Sequence, residues 1–158
     1  TALISATVLS VFESTIAQVA VLAAFFPVVA GVSGSAATQT LTVTVRGLAL
    51  GDIAPKEGLK ALSRELLLGL VNGVSIGLIV AIITLVWKGT PLLGVVVGAS
   101  TLLNMICAGI AGVLVPLLMQ KLNFDPALAS PILVTTTTDT LGYFFYLGLA
   151  TVLITSLV

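Results

Sequence analysis

Asp139 is an isolated carboxylate within a long apolar stretch near the end of the chain. The stretch begins at Asp125-Pro126 and has the composition of a membrane helix, which places Asp139 about 13 residues, or roughly 20 Å, from its start. No Lys or Arg occurs in this stretch. A carboxylate at that depth in a bilayer costs at least ~2.5 kcal/mol, so it requires a partner or a water-filled cavity. Asp139 is therefore the first candidate for a functional residue.

Thr135–Thr138 precede this carboxylate and supply hydroxyl oxygens over more than one helical turn. Helical spacing places Thr135 and Asp139 on one face with Gly142, Tyr143 and Tyr146. Carboxylate, hydroxyl and backbone carbonyl oxygens suit hard cations such as Mg²⁺, Ca²⁺ or Mn²⁺. Because Mg²⁺ gives up its waters reluctantly, one carboxylate per subunit in contact with a hydrated ion is sufficient. The alternative is that Asp139 is neutral and hydrogen-bonds to a neighbouring helix.

A run of small and polar residues between Gly31 and Thr40 is the second candidate region. Its members are Gly31, Ser33, Gly34, Ser35, Ala36, Ala37, Thr38, Gln39 and Thr40. Non-helical backbone at membrane depth is tolerated where it lines a water-filled path or is buried in protein. Small residues also allow close packing of helices. The pattern alone does not separate a path from a packing face.

The remaining polar and small residues favour structural roles. Arg64-Glu65 is most simply a surface pair, although Glu65 also has the charge to attract cations at the cytoplasmic mouth of a pore. Asn72 and Asn104 are expected to hydrogen-bond between helices. Glycines at small-xxx-small spacing indicate helix packing faces. These glycines are Gly69, Gly73 and Gly77 in one segment and Gly94 and Gly98 in the next.

The composition indicates a chain that lies in a membrane throughout. Of its 158 residues, 58% are hydrophobic and 8% are charged, and the mean hydropathy is +1.26. A soluble domain has about 25% charged residues, so this chain has too little polar surface to face water all round. Apolar stretches longer than the ~20 residues of a bilayer span recur along it. The predicted fold class is an all-α membrane protein in contact with the lipid bilayer.

Several function classes are disfavoured by what the sequence lacks. The net charge is zero, which argues against nucleic acid as a partner, because phosphate binding needs clustered basic residues. The sequence has no His and a single cysteine, Cys107, so it offers no imidazole ligand, no Ser/His/Asp triad and no thiolate cluster. No second membrane carboxylate is available as a catalytic partner for Asp139. An enzyme is therefore not expected.

Charged and turn-forming residues divide the chain into five apolar segments. The first, Thr1–Phe12, is too short to span a bilayer, and the chain therefore reads as part of a longer protein whose first helix is truncated. The second is expected to be kinked or broken at Pro27 and at Gly31–Ser35. The segments run over residues 1–12, 15–50, 59–87, 91–120 and from 126 almost to the end, and residues 51–58 form a polar connector.

The distribution of basic residues predicts the orientation of these segments. With the connectors after the second and fourth segments inside the cell, only Lys88 lies outside. The basic residues on the inner side are then Arg46, Lys56, Lys60, Arg64 and Lys121. The predicted location is the inner, or plasma, membrane, with several passes and an extracytoplasmic C-terminus.

Several short motifs along the chain match a known family. They are Phe25-Phe26-Pro27-Val28-Val29-Ala30-Gly31, Val45-Arg46-Gly47-Leu48-Ala49-Leu50-Gly51, Arg64-Glu65-Leu66 with Gly69 to Gly73, Asp125-Pro126-Ala127-Leu128-Ala129-Ser130, Thr135–Asp139 and Gly142-Tyr143. On these motifs the chain resembles the transmembrane domain of the MgtE family of magnesium transporters and channels, relatives of the eukaryotic solute carrier 41 proteins. The resemblance extends over essentially all of the chain.

The resemblance implies a homodimer with five transmembrane helices per subunit and an ion path at the dimer axis. The second and fifth helices line that path, and Asp139 of each subunit faces a hydrated Mg²⁺ within it. The metal-site residues expected on this basis are Asp139, Thr135 and Thr136. The expected pore-lining residues are Gly31, Gly34, Ser35, Ala36, Gln39, Thr138 and Gly142, with Glu65 at the cytoplasmic mouth.

The chain departs from the family pattern in two respects. Where the family usually has a Gly-Gly-Asn-Ala-Gly-like run, this chain has Ser33-Gly34-Ser35-Ala36-Ala37, so Ser35 stands in place of the amide. Family members also usually carry a cytoplasmic N-terminal domain and paired CBS domains that sense Mg²⁺. Residues 1–158 are expected to form a single ion-conducting transmembrane domain without those sensing domains.

Three functional interpretations follow. The preferred one is a divalent cation pore for Mg²⁺ foremost, with Mn²⁺, Co²⁺ and Ca²⁺ as other candidate ions, in which a hydrated ion passes Asp139 of both subunits. The first alternative is an exchanger that couples Mg²⁺ to Na⁺ or H⁺ by alternating access, for which a broken second helix is suitable. The second alternative is a non-transporting assembly subunit in which Asp139 only joins helices.

Overall fold

The computed structural model describes residues 1–53 and 58–154, and every regular element among them is helical. The elements are α1 (Ala2–Val11), α2 (Glu13–Gln18), a 3-10 helix (Ala20–Phe25), α3 (Phe26–Leu50), α4 (Gly58–Lys88), α5 (Pro91–Lys121) and α6 (Pro126–Ile154). The central part of the predicted connector, with Lys56, lies outside the described residues, as does the C-terminus at residues 155–158. The predicted all-α class is confirmed over the described part.

Three stretches of helix in the described residues are long and apolar enough to cross a membrane. They are Ala20–Leu50, Gly58–Lys88 and Pro91–Lys121, each with 31 residues. At ~1.5 Å per residue each exceeds the ~30 Å thickness of the hydrocarbon core. α6 is of similar length, with 29 residues, whereas α1 has only 10. The predicted count of five spans therefore stays a prediction.

Local chemistry explains where the long helices begin and end. The carboxylate of Asp125 accepts a hydrogen bond from the backbone N–H of Ala127 at 2.8 Å, and Pro126 occupies the first position of α6. This confirms the predicted helix start, because a capping Asp and a first-turn Pro both suit an N-terminus. α3 ends at Gly51, whose φ of 76° is a left-handed conformation that suits glycine.

The predicted break at Gly31–Ser35 is not found. Residues 26–50 form one α-helix with Pro27 in its first turn, and the irregular backbone lies earlier, in the 3-10 helix that leads into Phe26. Proline lacks an N–H, but the first turn of a helix does not need one, so Pro27 starts α3 rather than interrupting it. The small residues that follow therefore shape the surface of α3 without opening its backbone.

Glycines bring α4 and α5 into direct backbone contact. A Cβ at Gly98 would lie 2.7 Å from the carbonyl oxygen of Gly77, and a Cβ at Gly77 would lie 2.8 Å from the carbonyl oxygen of Gly98. One turn away, a Cβ at Gly94 would lie 2.8 Å from the carbonyl oxygen of Ala81. No side chain fits at these crossings. The interpretation of this stripe as a packing face is confirmed.

α5 is the central helix of the bundle. It packs against α3, α4 and α6, and its buried residues face all three. α4 lies outside it and exposes a nearly continuous apolar surface. The large exposed side chains of α4 are Leu59, Leu67, Leu68, Leu70, Val71, Val74, Leu78, Ile79, Ile82, Ile83, Leu85, Val86 and Trp87. Such a surface suits lipid as its surroundings.

We expect Gly98→Ala to lower the stability of the bundle by about 1–3 kcal/mol, because the added methyl group overpacks the crossing of α4 and α5. The matched control is Gly148→Ala in α6, where a Cβ would meet nothing within 4 Å. This control should be neutral or slightly stabilising, since Ala favours a helix by about 1 kcal/mol over Gly. Thermal unfolding of both variants in detergent measures the difference. Equal unfolding midpoints for the two variants would contradict the close backbone contact.

Candidate cation site

An open groove between α3 and α6 brings together the two regions that the sequence marks as candidates. The groove has a volume of about 460 Å³. Its lining residues are Pro27, Ala30, Gly31, Gly34, Ser35, Thr38, Thr135 and Asp139. The carboxylate therefore faces the small and polar residues of α3, which lie more than 90 positions away in the sequence.

α3 presents a polar stripe on its exposed side, formed by Gly31, Ser35, Thr38 and Thr42. These residues recur at helical spacing and therefore lie in one row along the helix. The row continues from the groove at Asp139 into an adjoining groove of about 540 Å³, lined by Ser35, Thr38, Gln39, Thr42 and Val43. Unlike α4, α3 thus exposes oxygen-bearing side chains along much of its length.

The hydroxyl groups of the polar stripe donate their hydrogen atoms to the helix itself. Ser35 Oγ donates to the carbonyl oxygen of Gly31 at 2.9 Å, and Thr38 Oγ1 donates to that of Gly34 at 2.8 Å. Thr42 Oγ1 donates in the same way to the carbonyl oxygen of Thr38 at 2.8 Å. A hydroxyl has two acceptor lone pairs in addition to its hydrogen. The stripe therefore offers acceptor oxygens to whatever occupies the groove.

Asp139 provides the negative charge of the groove. Its side chain is half-buried. Within the described part of the chain, no basic side chain pairs with it, and no cluster of three or more acidic, His or Cys side chains is present. The oxygen atoms that face the groove thus belong to one carboxylate and several hydroxyl groups. Such a set can accept hydrogen bonds from the waters of a hydrated cation and attract its charge.

The predicted site residues fall into three groups. Gly31, Gly34, Ser35 and Thr135 line the groove with Asp139. Ala36, Gln39 and Glu65 line a separate, smaller groove between α3 and α4. The other three lie outside both grooves; they are Thr136, which is half-buried and donates to the carbonyl oxygen of Ile132 at 2.6 Å, and the buried Thr138 and Gly142.

Gly142 and Tyr146 point into the bundle, although helical spacing predicts that they share a face with Asp139. Tyr146 is fully buried, and its hydroxyl donates to the carbonyl oxygen of Leu22 at 3.1 Å. The 3-10 helix covers α6 at Tyr146, and Asn104 of α5 lies against Gly142. The face of α6 that borders the groove at Asp139 is therefore covered by other helices at Gly142 and Tyr146, one to two turns closer to the C-terminus.

Asn104 of α5 contacts both α3 and α6, the two helices that line the groove, on the side that faces the interior of the bundle. It is fully buried, and its Nδ2 donates to the carbonyl oxygen of Val29 in α3 at 3.3 Å. The same amide lies directly against Gly142 in α6, where a Cβ would collide with it. Ala30 and Asp139, in the groove, lie within one turn of these two contacts. Asn104 therefore helps to set the distance between α3 and α6. The predicted interhelical hydrogen bond of Asn104 is confirmed.

Aromatic contacts hold the same two helices together beside the groove. The ring of Phe26 at the start of α3 lies 5.3 Å from that of Tyr143 and 5.9 Å from that of Tyr146, both edge to face. Such pairs are worth about 0.5–1.5 kcal/mol beyond the area they bury. They stabilise α6 in the orientation that turns Asp139 toward α3.

Sequence reasoning missed two groove-lining residues, Pro27 and Ala30, and it placed Thr38 in the second candidate region without expecting it to line the pore. A signal for Thr38 was present, since Gly31, Ser35, Thr38 and Thr42 recur at helical spacing in an apolar segment. Pro27 and Ala30 have no polar group, and only the approach of α6 identifies them as lining residues.

We expect Asn104→Leu to destabilise the bundle by about 1 kcal/mol, because it removes one interhelical hydrogen bond at nearly constant volume. The control is Asn72→Leu, the same change at an exposed position of α4. Thermal unfolding in detergent should separate the two variants. If Asn72→Leu costs as much as Asn104→Leu, the bond to Val29 does not hold the helices together.

Comparisons with known proteins identify the family of this chain. The sequence model of the MgtE family, described as a divalent cation transporter, matches residues 26–149. Three relatives carry the name magnesium transporter MgtE. The protein from Bacillus subtilis is 38% identical over 98% of this chain, that from Enterococcus faecalis is 38% identical over 92%, and that from Thermus thermophilus is 33% identical over 98%.

The aligned regions make up 34%, 32% and 34% of those relatives, respectively, so the chain spans about a third of their length. The family match includes α3 to α5 completely and most of α6, and therefore both walls of the groove. The family description is that of a transporter and not of an enzyme. The chain belongs to the MgtE family of divalent cation transporters.

Proposed function

We propose that this chain forms the membrane path of a divalent cation transporter and that Mg²⁺ is its principal cargo. The observation that carries the proposal is the polar stripe of α3, which faces Asp139 of α6 across an open groove. The names of the relatives, all magnesium transporters, support the choice of ion. Mn²⁺, Co²⁺ and Ca²⁺ share the preference for such oxygen atoms to different degrees and are the candidate competitors.

The proposed ion passes the groove with its water shell in place. Mg²⁺ demands octahedral coordination at about 2.0–2.1 Å and gives up its waters reluctantly. The waters of a hydrated Mg²⁺ are strong hydrogen-bond donors. Ser35, Thr38 and Asp139 present acceptor oxygens to them, while the carboxylate attracts the double positive charge. Selectivity then depends on the width of the path and on the field of its oxygen atoms.

A homodimer is the proposed assembly. In one copy of the chain the groove is open and the polar stripe is exposed. Contact with lipid would be unfavourable above all for Asp139, because lipid offers its carboxylate neither a hydrogen bond nor an opposite charge. A second copy related by a two-fold axis would close the groove and place a second Asp139 opposite the first. The path would then lie at the dimer axis between α3 and α6 of both subunits.

Channel-like passage is the proposed mechanism. A broken second helix is compatible with an alternating-access exchanger, but the irregular backbone lies in the 3-10 helix before Phe26, and α3 is continuous through Gly31–Ser35 beside the groove. Passive entry also has a sufficient driving force, since two charges that cross 100 mV gain about 4.6 kcal/mol. A non-transporting subunit would not need a continuous row of acceptor oxygens beside Asp139.

The proposed topology places residues 1–158 as one transmembrane domain in the plasma membrane. Arg46 lies near the end of α3, Arg64 near the start of α4 and Lys121 at the end of α5, whereas Lys88 lies at the opposite end of α4. Successive helices run in opposite directions, so the first three charges come to the same side. An excess of basic residues marks the cytoplasmic side, which leaves the C-terminal end of α6 outside.

We expect Asp139→Asn to reduce Mg²⁺ flux into proteoliposomes at least about tenfold, equivalent to ~1.4 kcal/mol or more, because the isosteric amide removes the charge that attracts the ion. The control is Glu13→Gln, which removes an exposed carboxylate at the start of α2 and should leave the flux unchanged. Cross-linking verifies that both variants form dimers. If an intact Asp139→Asn dimer conducts like the unmodified protein, Asp139 has a structural role.

We expect Mg²⁺ flux through the unmodified protein to follow the Mg²⁺ gradient and the membrane potential alone. Imposed Na⁺ or pH gradients across the liposome membrane should leave the initial rate unchanged, because no coupling ion takes part. The measurement is the entry of Mg²⁺, reported by an indicator enclosed in the liposomes. A rate that reverses with the Na⁺ or proton gradient would establish an exchanger instead.

A further inference from the structure

We infer that Glu65 forms a second cation site, in a side groove between α3 and α4, at which a hydrated divalent cation binds on its way between the cytoplasm and Asp139. The inference rests on the proposed function. The side groove has a volume of about 220 Å³. Its polar lining residues are Gln39, Thr40, Arg64, Glu65 and Asn72, and its floor includes Gly69 and Gly109.

Thr40 of α3 holds the Glu65 carboxylate in place. Its Oγ1 donates a hydrogen bond to Glu65 Oε2 at 2.9 Å, and both side chains are half-buried. Among the described residues, the other carboxylate oxygen of Glu65 receives no hydrogen bond from a side chain. One oxygen atom therefore fixes the carboxylate, and the other remains available to a ligand.

Glu65 lies about two turns inside α4. It follows Gly58, the first residue of α4, by seven positions, which corresponds to about 10 Å along the helix. Its partner Thr40 precedes Leu50, the last residue of α3, by ten positions, or about 15 Å. At this position Glu65 is half-buried, whereas the adjacent Arg64 is exposed.

Arg64 lines the side groove as well, but it forms no ion pair with this carboxylate in the described part of the chain. Neighbouring residues of a helix point in different directions, and the described residues contain no ion pair between Arg64 and Glu65. The Arg64 side chain is exposed and also lines a larger groove of about 590 Å³ with Asp52 and Lys60 toward the end of the helices. The prediction that Arg64 and Glu65 form a simple surface pair is therefore wrong, because Arg64 is exposed whereas Glu65 is half-buried.

The other polar groups of the side groove supply oxygen atoms for a hard cation. Gln39 and Asn72 contribute amide oxygens, and Asn72 lies two turns after Glu65 on the same face of α4. With the Glu65 carboxylate and the Thr40 hydroxyl, the donors are all oxygen, the set that Mg²⁺ and similar ions prefer. A single carboxylate among neutral donors suits an ion that keeps most of its waters.

The side groove adjoins the proposed path at one end and the groove near Asp52 at the other. It shares Gln39 and Val43 with the groove of the polar stripe, which itself shares Ser35 and Thr38 with the groove at Asp139. In the other direction it shares Arg64 and Glu65 with the groove that contains Asp52. Glu65 thus lies between the cytoplasmic ends of the helices and Asp139, along a series of grooves that share lining residues.

Close contact between α4 and α5 makes the position of Glu65 rigid. A Cβ at Gly109 would lie 2.9 Å from the backbone oxygen of Glu65, and one at Gly69 would lie 3.0 Å from that of Met105. The backbone that carries Glu65 therefore rests directly on α5. A carboxylate on such a support keeps its geometry when an ion binds or leaves.

The test counts bound Mn²⁺, as a paramagnetic substitute for Mg²⁺, on the purified protein by electron paramagnetic resonance. We expect Glu65→Gln to bind one Mn²⁺ fewer per subunit than the unmodified protein. The same variant should need about tenfold more Mg²⁺ for half-maximal flux, with the maximal flux retained. The matched control is Glu13→Gln, which removes an exposed carboxylate at the start of α2, outside the side groove, and should retain the Mn²⁺.

Glu65→Asp separates loss of the ion from loss of packing. It keeps a carboxylate and should retain the Mn²⁺ that Glu65→Gln loses. If Glu65→Gln binds as many Mn²⁺ ions as the unmodified protein, or if Glu65→Asp loses the ion as well, the site is overturned. Failure of the proposed function gives a different result, in which Asp139→Asn conducts normally while Glu65→Gln still loses its ion.

Discussion

The hydrocarbon core of a lipid bilayer cannot form hydrogen bonds. This constraint determines which face of each helix packs against other helices and which face contacts lipid. The hydroxyl groups of Ser35, Thr38 and Thr42 satisfy their own hydrogen atoms within α3, so their cost in the membrane is small. Asp139 has no such solution within α6, and a charge at the centre of a span costs ~2.5 kcal/mol or more. α6 must therefore turn Asp139 toward the polar stripe, while α4 turns its apolar face outward.

The groove depends on α5, although α5 lines no part of it. Gly77, Gly94 and Gly98 join α4 to α5 backbone to backbone, and Asn104 joins α5 to both α3 and α6. Phe26 and Tyr143 pack ring to ring beside the groove. A hydrated ion is discriminated by the spacing of the oxygen atoms around its water shell, so the walls must keep a defined separation. The buried contacts of α5 provide that separation.

Ser35 is the groove residue at which this chain departs from the pattern that the family resemblance leads us to expect. It stands where the family usually has an amide side chain, and its hydroxyl oxygen lies close to the backbone of α3 because it bonds to the carbonyl oxygen of Gly31. A longer amide would reach further into the groove. The shorter side chain leaves more room there, which is consistent with the proposed contact through water rather than directly with the metal.

The sequence by itself determined the helical membrane class, the bounds of α4 and α5, the start of α6 at Asp125-Pro126 and the choice of Asp139 as the first candidate residue. These features follow from local chemistry: apolar length, capping residues and the cost of a buried charge. Only the tertiary structure decided which polar side chains from different helices lie close together. It showed that α3 is continuous at Gly31–Ser35, that Gly142 faces Asn104, and that Thr40 binds Glu65. Such contacts join residues from different helices, and helical periodicity defines the faces of each helix but not which neighbour covers them.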